Sequence, residues 1–270
     1  MKTRILSAVV LLPILFVVVL VLPEIVTTVC IALMSALAAY EMLYTTGFVR
    51  NKILLIYSAI AAALVPFWSH FGMNHAWGLL GLVVFVTLLF VETMRNHVKA
   101  RFDKIAICFV AGLLIPMMFS SFVRILNGSW GRYMVVVPLV LAFLPDSGAY
   151  FAGKYFGKRK LAPVISPNKT VEGAIGAAVT AVLGMLIYTA ILDIFFPFQV
   201  RYGVALVYGV LGAAADIFGD LMFSSIKRQA GIKDYGNLIP GHGGILDRFD
   251  SMMIVAPLTE ALLILLPLVV

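Results

Sequence analysis

Residues 224–250 read "SSIKRQAGIKDYGNLIPGHGGILDRFD" and gather Lys227, Arg228, Lys233, Asp234, Asp247, Arg248 and Asp250, with His242, in a chain only 12% charged. Bases that hold oxyanions, acids that hold a hard cation and glycines that let backbone approach a ligand are the parts needed to handle phosphate. Just upstream, "AADIFGDLMFSSIKR" sets Asp216, Asp220 and Ser224 at i, i+4 and i+8, with Lys227 and Arg228 a turn beyond. On a helix these share one face. Two carboxylates one turn apart in apolar surroundings need a cation or a basic partner. A metal ion would serve, and so would a Lys or Arg from another helix that merely joins the bundle. Asp247 and Asp250, at i, i+3 before the last apolar stretch, suit Mg²⁺, which commonly takes one or two carboxylates and leaves room for phosphate oxygens. One acid there has a plainer use, stabilising a helix N-terminus.

A third cluster, "DSGAYFAGKYFGKRKLAPVISPNKTVEG", spans residues 146–173. Asp146 ends an apolar run and Tyr150 lies one turn on. "SPNKTVEG" reads as a helix start, with Thr170 as the cap and Glu172 in the first turn. Free N–H groups there, beside Asn168 and Lys169, would form an anion site. The alternative is a well-capped helix beside a basic loop. "GAYFAGK" fits the spacing of a phosphate-binding loop, but Tyr155 replaces the required Ser or Thr and no strand precedes it, so that reading fails. "GAAADIFGD" fits the second half of the metal motif of CDP-alcohol phosphotransferases, but the first half is absent from "FFPFQVRYGVAL" upstream.

The elements that position these clusters must be membrane helices. The chain is 62% hydrophobic, with a mean hydropathy of +1.05, and a helix needs about 20 apolar residues to cross a bilayer. Apolar runs near 5–22, 25–46, 53–69, 77–94, 105–126, 134–152, 171–196, 202–222 and 252–270 predict an all-α polytopic protein of about nine spans. The first resembles a signal peptide, but its length and the lack of a cleavage site predict a retained helix. With the N-terminus in the cytoplasm, inside segments hold 17 Lys and Arg against three near the outer ends (Arg124, Arg132 and Arg201), the asymmetry that sets orientation. The same count accounts for the net charge of +7, so no nucleic-acid partner is expected. Residues 1–130 form an N-terminal set of helices. There Glu41 and Glu92 are expected to pair with Arg50 or Arg95 at the inner helix ends. Residues 131–270 form the catalytic region, its polar site facing the cytoplasm.

Residues 224–250 resemble the signature of the phosphatidate cytidylyltransferases: S-x-x-K-R, then K-D, then H-G-G and D-R-x-D. Ser224, Lys227, Arg228, Lys233, Asp234, His242, Gly243, Gly244, Asp247, Arg248 and Asp250 supply every position. The 146–173 stretch is similar to the family's second common segment, whereas residues 1–130 match in character only. The resemblance implies transfer of a cytidylyl group from CTP to phosphatidic acid, giving CDP-diacylglycerol and pyrophosphate at a bacterial cytoplasmic membrane. It also implies Mg²⁺, with K⁺ as a second ion. Asp220 and Asp247, from two different helices, would hold metal, with Asp216, Asp250 and Asp146 close by. Lys227, Arg228 and Arg248 would bind phosphates, and Asn168 and Lys169 would contact CTP or the lipid phosphate. The bilayer is the standing partner and a homodimer the candidate assembly. The rival from another class is an ion-coupled transporter, since intramembrane acids also mark ion pathways. Transporters show paired broken helices, and the N-terminal half holds no counterpart of these clusters.

Overall fold

The computed structural model describes residues 13–96, 101–238 and 243–269. Seven helices are long and apolar enough to cross a membrane: α1 (Glu24–Thr45), α2 (Lys52–His70), α3 (His75–Arg95), α4 (Phe102–Leu126), α5 (Gly131–Phe156), α6 (Val171–Phe195) and α7 (Tyr202–Gln229). They fall where the apolar runs place them, and the chain is a multi-pass membrane protein. Much of the expected first span, 5–22, lies outside the described residues. The last, expected over 252–270, is a shorter helix, α8 (Met252–Leu265). Pro267 follows Leu266, whose backbone has left the helical region, because the residue before proline is excluded from it. From there the chain turns back beside residues 200–201, where Arg201 N–H donates to the Leu268 carbonyl.

The chain divides into two compact units, one of Met1–Arg132 with Lys227–Phe249, the other of Tyr133–Ile226 with Asp250–Val270. In the first, small and branched side chains make the core: Ala38, Ala39, Leu43, Leu54, Ala62, Cys108 and Ala111 are fully buried. Large apolar side chains such as Trp77, Leu79 and Val83 stay exposed, as suits helices solvated by lipid. The end of α1 widens into a π-helical turn over Glu41–Thr45. Thr45 and Thr46 hydroxyls donate to the Glu41 and Met42 carbonyls at 2.6 Å, satisfying acceptors that the widened turn frees. Asn51 caps α2 by accepting from Ile53 N–H.

In the second unit α5 and α6 touch along glycines. A Cβ on Gly176 would sit 2.8 Å from the Gly148 carbonyl, and one on Gly148 would sit 2.7 Å from the Gly176 carbonyl. Only hydrogen at both positions allows this approach. The helix start read from the sequence stands, α6 beginning at Val171 behind Thr170, but ahead of it the chain forms an element that the sequence does not announce: an antiparallel pair, β1 (Lys160–Ala162) with β2 (Ser166–Thr170). Two short strands can hold Pro167, since each is an edge.

Candidate active site

The second unit carries the acid cluster. Asp146 on α5, Asn168 and Lys169 on β2, and Asp216 on α7 line a pocket of about 200 Å³, together with Tyr150, Thr170 and Gly173. Thr170 does cap α6, its hydroxyl accepting from Gly173 N–H at 3.1 Å. Glu172 accepts from the Lys158 and Arg159 amides at 3.0 and 3.2 Å, tying the basic segment to the first turn of α6. Along α7, Ser224 donates to Asp220 Oδ1 at 3.0 Å, so the expected shared face is present. Asp220 Oδ2 pairs with the Lys169 ammonium. Asp216 is buried and its Oδ1 has no hydrogen-bond partner among the described residues. Its charged neighbours are Asp146, Lys169 and Asp220. Asp250 Oδ1 accepts from the Ser251 amide at 2.9 Å, just ahead of α8.

The first unit carries the signature loop. α7 ends as Gly231 enters the left-handed region at φ +69°, with its N–H on the Arg228 carbonyl and that of Ile232 on the Lys227 carbonyl. This is a glycine helix stop. Lys227 then lies buried against Asp247, Nζ to Oδ1 at 2.9 Å, with side-chain exposures of 10% and 1%. Asp247 Oδ2 accepts from the amides of Tyr235 at 2.6 Å and Gly244 at 3.0 Å. Lys227 Nζ also stands 5.5 Å from the centre of the Tyr235 ring. Asp247 lies in a turn, not on a helix, five residues ahead of α8. Arg228, Lys233, Asp234 and Arg248 are exposed around it. His242 falls outside the described residues.

Two glycines of the loop make room for protein carboxylates. Gly243 has φ +85°, and a Cβ there would lie 2.7 Å from Asp247 Oδ2. A Cβ on Gly244 would run into the Glu41 carboxylate. Glu41 is the residue that sequence reasoning misplaced. It is buried and pairs with the loop, not with Arg50, accepting the Ile245 and Leu246 amides at 2.9 Å each. Glu92 likewise accepts the side-chain amides of Asn51 at 2.8 Å and Asn96 at 3.3 Å, in place of the expected pairing with Arg95. An acid at a helix end, not far from an arginine in sequence, was the only signal available. Main-chain donors some two hundred residues away leave no trace in it.

Among the described residues no three His, Cys, Asp or Glu side chains converge to hold a metal ion. Asp220 and Asp247, the two carboxylates put forward first as metal ligands, each meet a lysine: Asp220 meets Lys169 and Asp247 meets Lys227.

A chain with a basic signature loop, an acid cluster around the buried Asp216 and multiple spans fits enzymes that handle phosphates at a bilayer. A profile of the cytidylyltransferase family matches residues 2–266, and the chain belongs to that family. It is 35% identical to the phosphatidate cytidylyltransferase of Bacillus subtilis (strain 168), over 98% of each chain. To the Staphylococcus aureus (strain COL) protein of the same name it is 38% identical, over 67% of this chain and 66% of that one.

Proposed function

We infer that this chain is a membrane enzyme that transfers the cytidylyl group of CTP to phosphatidic acid, releasing pyrophosphate and forming CDP-diacylglycerol. The observation that carries the reading is the complete set of signature side chains in a chain that matches the family from residue 2 to residue 266. The attacking group is a phosphate monoester, anionic at neutral pH, so the reaction needs no activated Ser or Cys. It needs two polyanions brought together and the charge growing on the leaving pyrophosphate offset, which is a task of positioning and electrostatics. Lys227, Arg228 and Arg248 serve as phosphate clamps. Asn168 and Lys169 hold CTP or the lipid phosphate, and Ser224 steadies Asp220.

The acid cluster fits a hard divalent cation. Lys169 stands near both Asp216 and Asp220, Asp146 adds a further acid beside Asp216, and a buried oxygen of Asp216 lacks a hydrogen-bond partner among the described residues. One or two of these carboxylates, Asp216 or Asp220 with Asp146 near by, would hold Mg²⁺, which would neutralise phosphate charge and keep its other positions for water and phosphate oxygens. Asp247 and Asp250 are the further candidate ligands, with K⁺ as a second ion.

Purified protein, CTP with defined configuration at the α-phosphorus, and phosphatidate provide the test. The expected product is CDP-diacylglycerol with configuration inverted by a single displacement. Retention would overturn direct attack, and no product from folded protein would overturn the activity.

The 17-to-3 charge asymmetry supports a cytoplasmic N-terminus, with the polar site open to the cytoplasm and to lipid from the bilayer. A cysteine at Val164, which is 89% exposed, or at Met73, 41% exposed, reports the side in a background without Cys30 and Cys108. An impermeant maleimide should reach the first only in inside-out vesicles and the second only in right-side-out ones. The opposite pattern would put the site away from cytoplasmic CTP.

A further inference from the structure

We propose that Glu41 is a positioning residue for cytidylyl transfer: its carboxylate clamps the Ile245 and Leu246 amides and so holds Asp247 in place. The inference rests on the reading that the 243–248 loop serves the transfer.

Three successive amides of this loop all point at carboxylates. Gly244 N–H goes to Asp247 Oδ2, Ile245 N–H to Glu41 Oε1 and Leu246 N–H to Glu41 Oε2. The two acids thus divide one stretch of backbone, and the loop cannot shift without breaking bonds to both. All of these groups are buried, so no water is at hand to replace a lost partner, and an unsatisfied buried amide is costly.

Space around the clamp is built for it. Gly244 leaves room for the Glu41 carboxylate, and a Cβ on Gly236 would stand 2.9 Å from Glu41 Oε1. Glu41 opens the π-helical turn of α1, the kind of local widening that recurs at functional sites. A carboxylate spent only on joining helices would have met a base or a side-chain donor. This one meets the two amides that lie between the signature H-G-G and D-R elements. The remaining oxygen of Asp247, Oδ1, is left to Lys227, so the clamp fixes the direction in which that oxygen and the ammonium point.

Glu41→Ala and the isosteric Glu41→Gln, in the full-length detergent-solubilised protein, test the clamp. Alanine leaves both amides without an acceptor. Glutamine keeps one acceptor but turns its NH₂ toward the other amide. For Glu41→Ala, kcat should fall about 10²-fold, the loss expected from misplacing a reacting group by an ångström, while KM for CTP stays within about threefold. Glutamine should fall between alanine and wild type. Amide hydrogen exchange at 244–248 should quicken at least about tenfold in Glu41→Ala, with α1 and α2 as protected as before. Unchanged exchange at 244–248 would overturn the clamp, as would kcat within about threefold of wild type or an effect confined to KM. Protection lost across α1 and α2 as well, in both variants, would make Glu41 a general fold contact and overturn it too. If wild-type protein makes no CDP-diacylglycerol, the functional reading falls, and the exchange arm alone decides whether Glu41 holds the loop.

Discussion

Asp247→Asn is expected to lower kcat by at least about 10³-fold, the loss that follows removal of a key electrostatic group from a site of this kind, and to loosen the loop around it. Asp247 is 1% exposed in its side chain and accepts three hydrogen bonds, from Lys227 Nζ and from the amides of Tyr235 and Gly244. An asparagine must turn its NH₂ either toward the Lys227 ammonium or toward the two amides, and each choice opposes donor to donor. Breaking a buried pair while leaving its partner charged costs about 3–5 kcal/mol, so thermal unfolding in detergent should drop together with turnover. The double variant Asp247→Asn, Lys227→Met separates the two effects. With both charges gone the buried ammonium is no longer stranded, and stability should recover by more than additivity allows. Turnover should not recover, because the phosphate clamp and the acid are both missing. If the double variant regained both stability and turnover, Asp247 would be a structural anchor and nothing more. Asp247→Asn turning over within tenfold of wild type would exclude it from the site altogether.

What could be read in advance follows from which forces leave a local mark. Runs of about 20 apolar residues are local, and α1 to α7 stand where those runs place them. The helical period is local too, so Asp216, Asp220 and Ser224 could be set on one face of α7, and the Ser224–Asp220 bond follows. The end of α8 at Leu265 was missed because apolar character continues to Val269 while Pro267 limits the backbone before it. Hydropathy carries no information about φ and ψ. The strand pair 160–170 was missed because its segments are short and polar. Its register joins Lys160 to Thr170 and Ala162 to Ser166, and Glu172 fastens the segment ahead of it through main-chain amides. Glu41 was expected to meet Arg50 or Arg95 for a related reason. A carboxylate shows its charge in the sequence, so a charged partner is sought for it. Amides that lack an acceptor in a distant turn are invisible until the chain is folded. The glycines of the H-G-G element were read as room for a ligand, yet Gly243 and Gly244 each leave room for a carboxylate of the protein.

Asp220→Asn carries the other large expected effect, and here magnitude separates two roles that the geometry alone joins. Asp220 pairs with Lys169, but the pair is partly open, with side-chain exposures of 28% and 23%. An ion pair of that exposure is worth at most about 1 kcal/mol. If joining β2 to α7 were its whole purpose, Asp220→Asn would shift thermal unfolding slightly and cost turnover less than about tenfold. The surroundings predict more. Asp216, whose buried Oδ1 has no hydrogen-bond partner among the described residues, and Asp146 are the neighbouring acids, and Lys169 is the base that Asp220 shares with Asp216. Removing one carboxylate there changes the charge offered to a polyphosphate and its counter-ion. The expected loss in kcat is therefore at least about 10³-fold, with stability changed by less than about 1 kcal/mol. Lys169→Gln added to Asp220→Asn deletes both ends of the pair at once. A merely structural pair predicts that the double variant works as well as the better single one, and a site for phosphate predicts that it works no better than the worse. The outcome that removes Asp220 from the chemistry is a tenfold or smaller loss in the single variant, accompanied by recovery in the double.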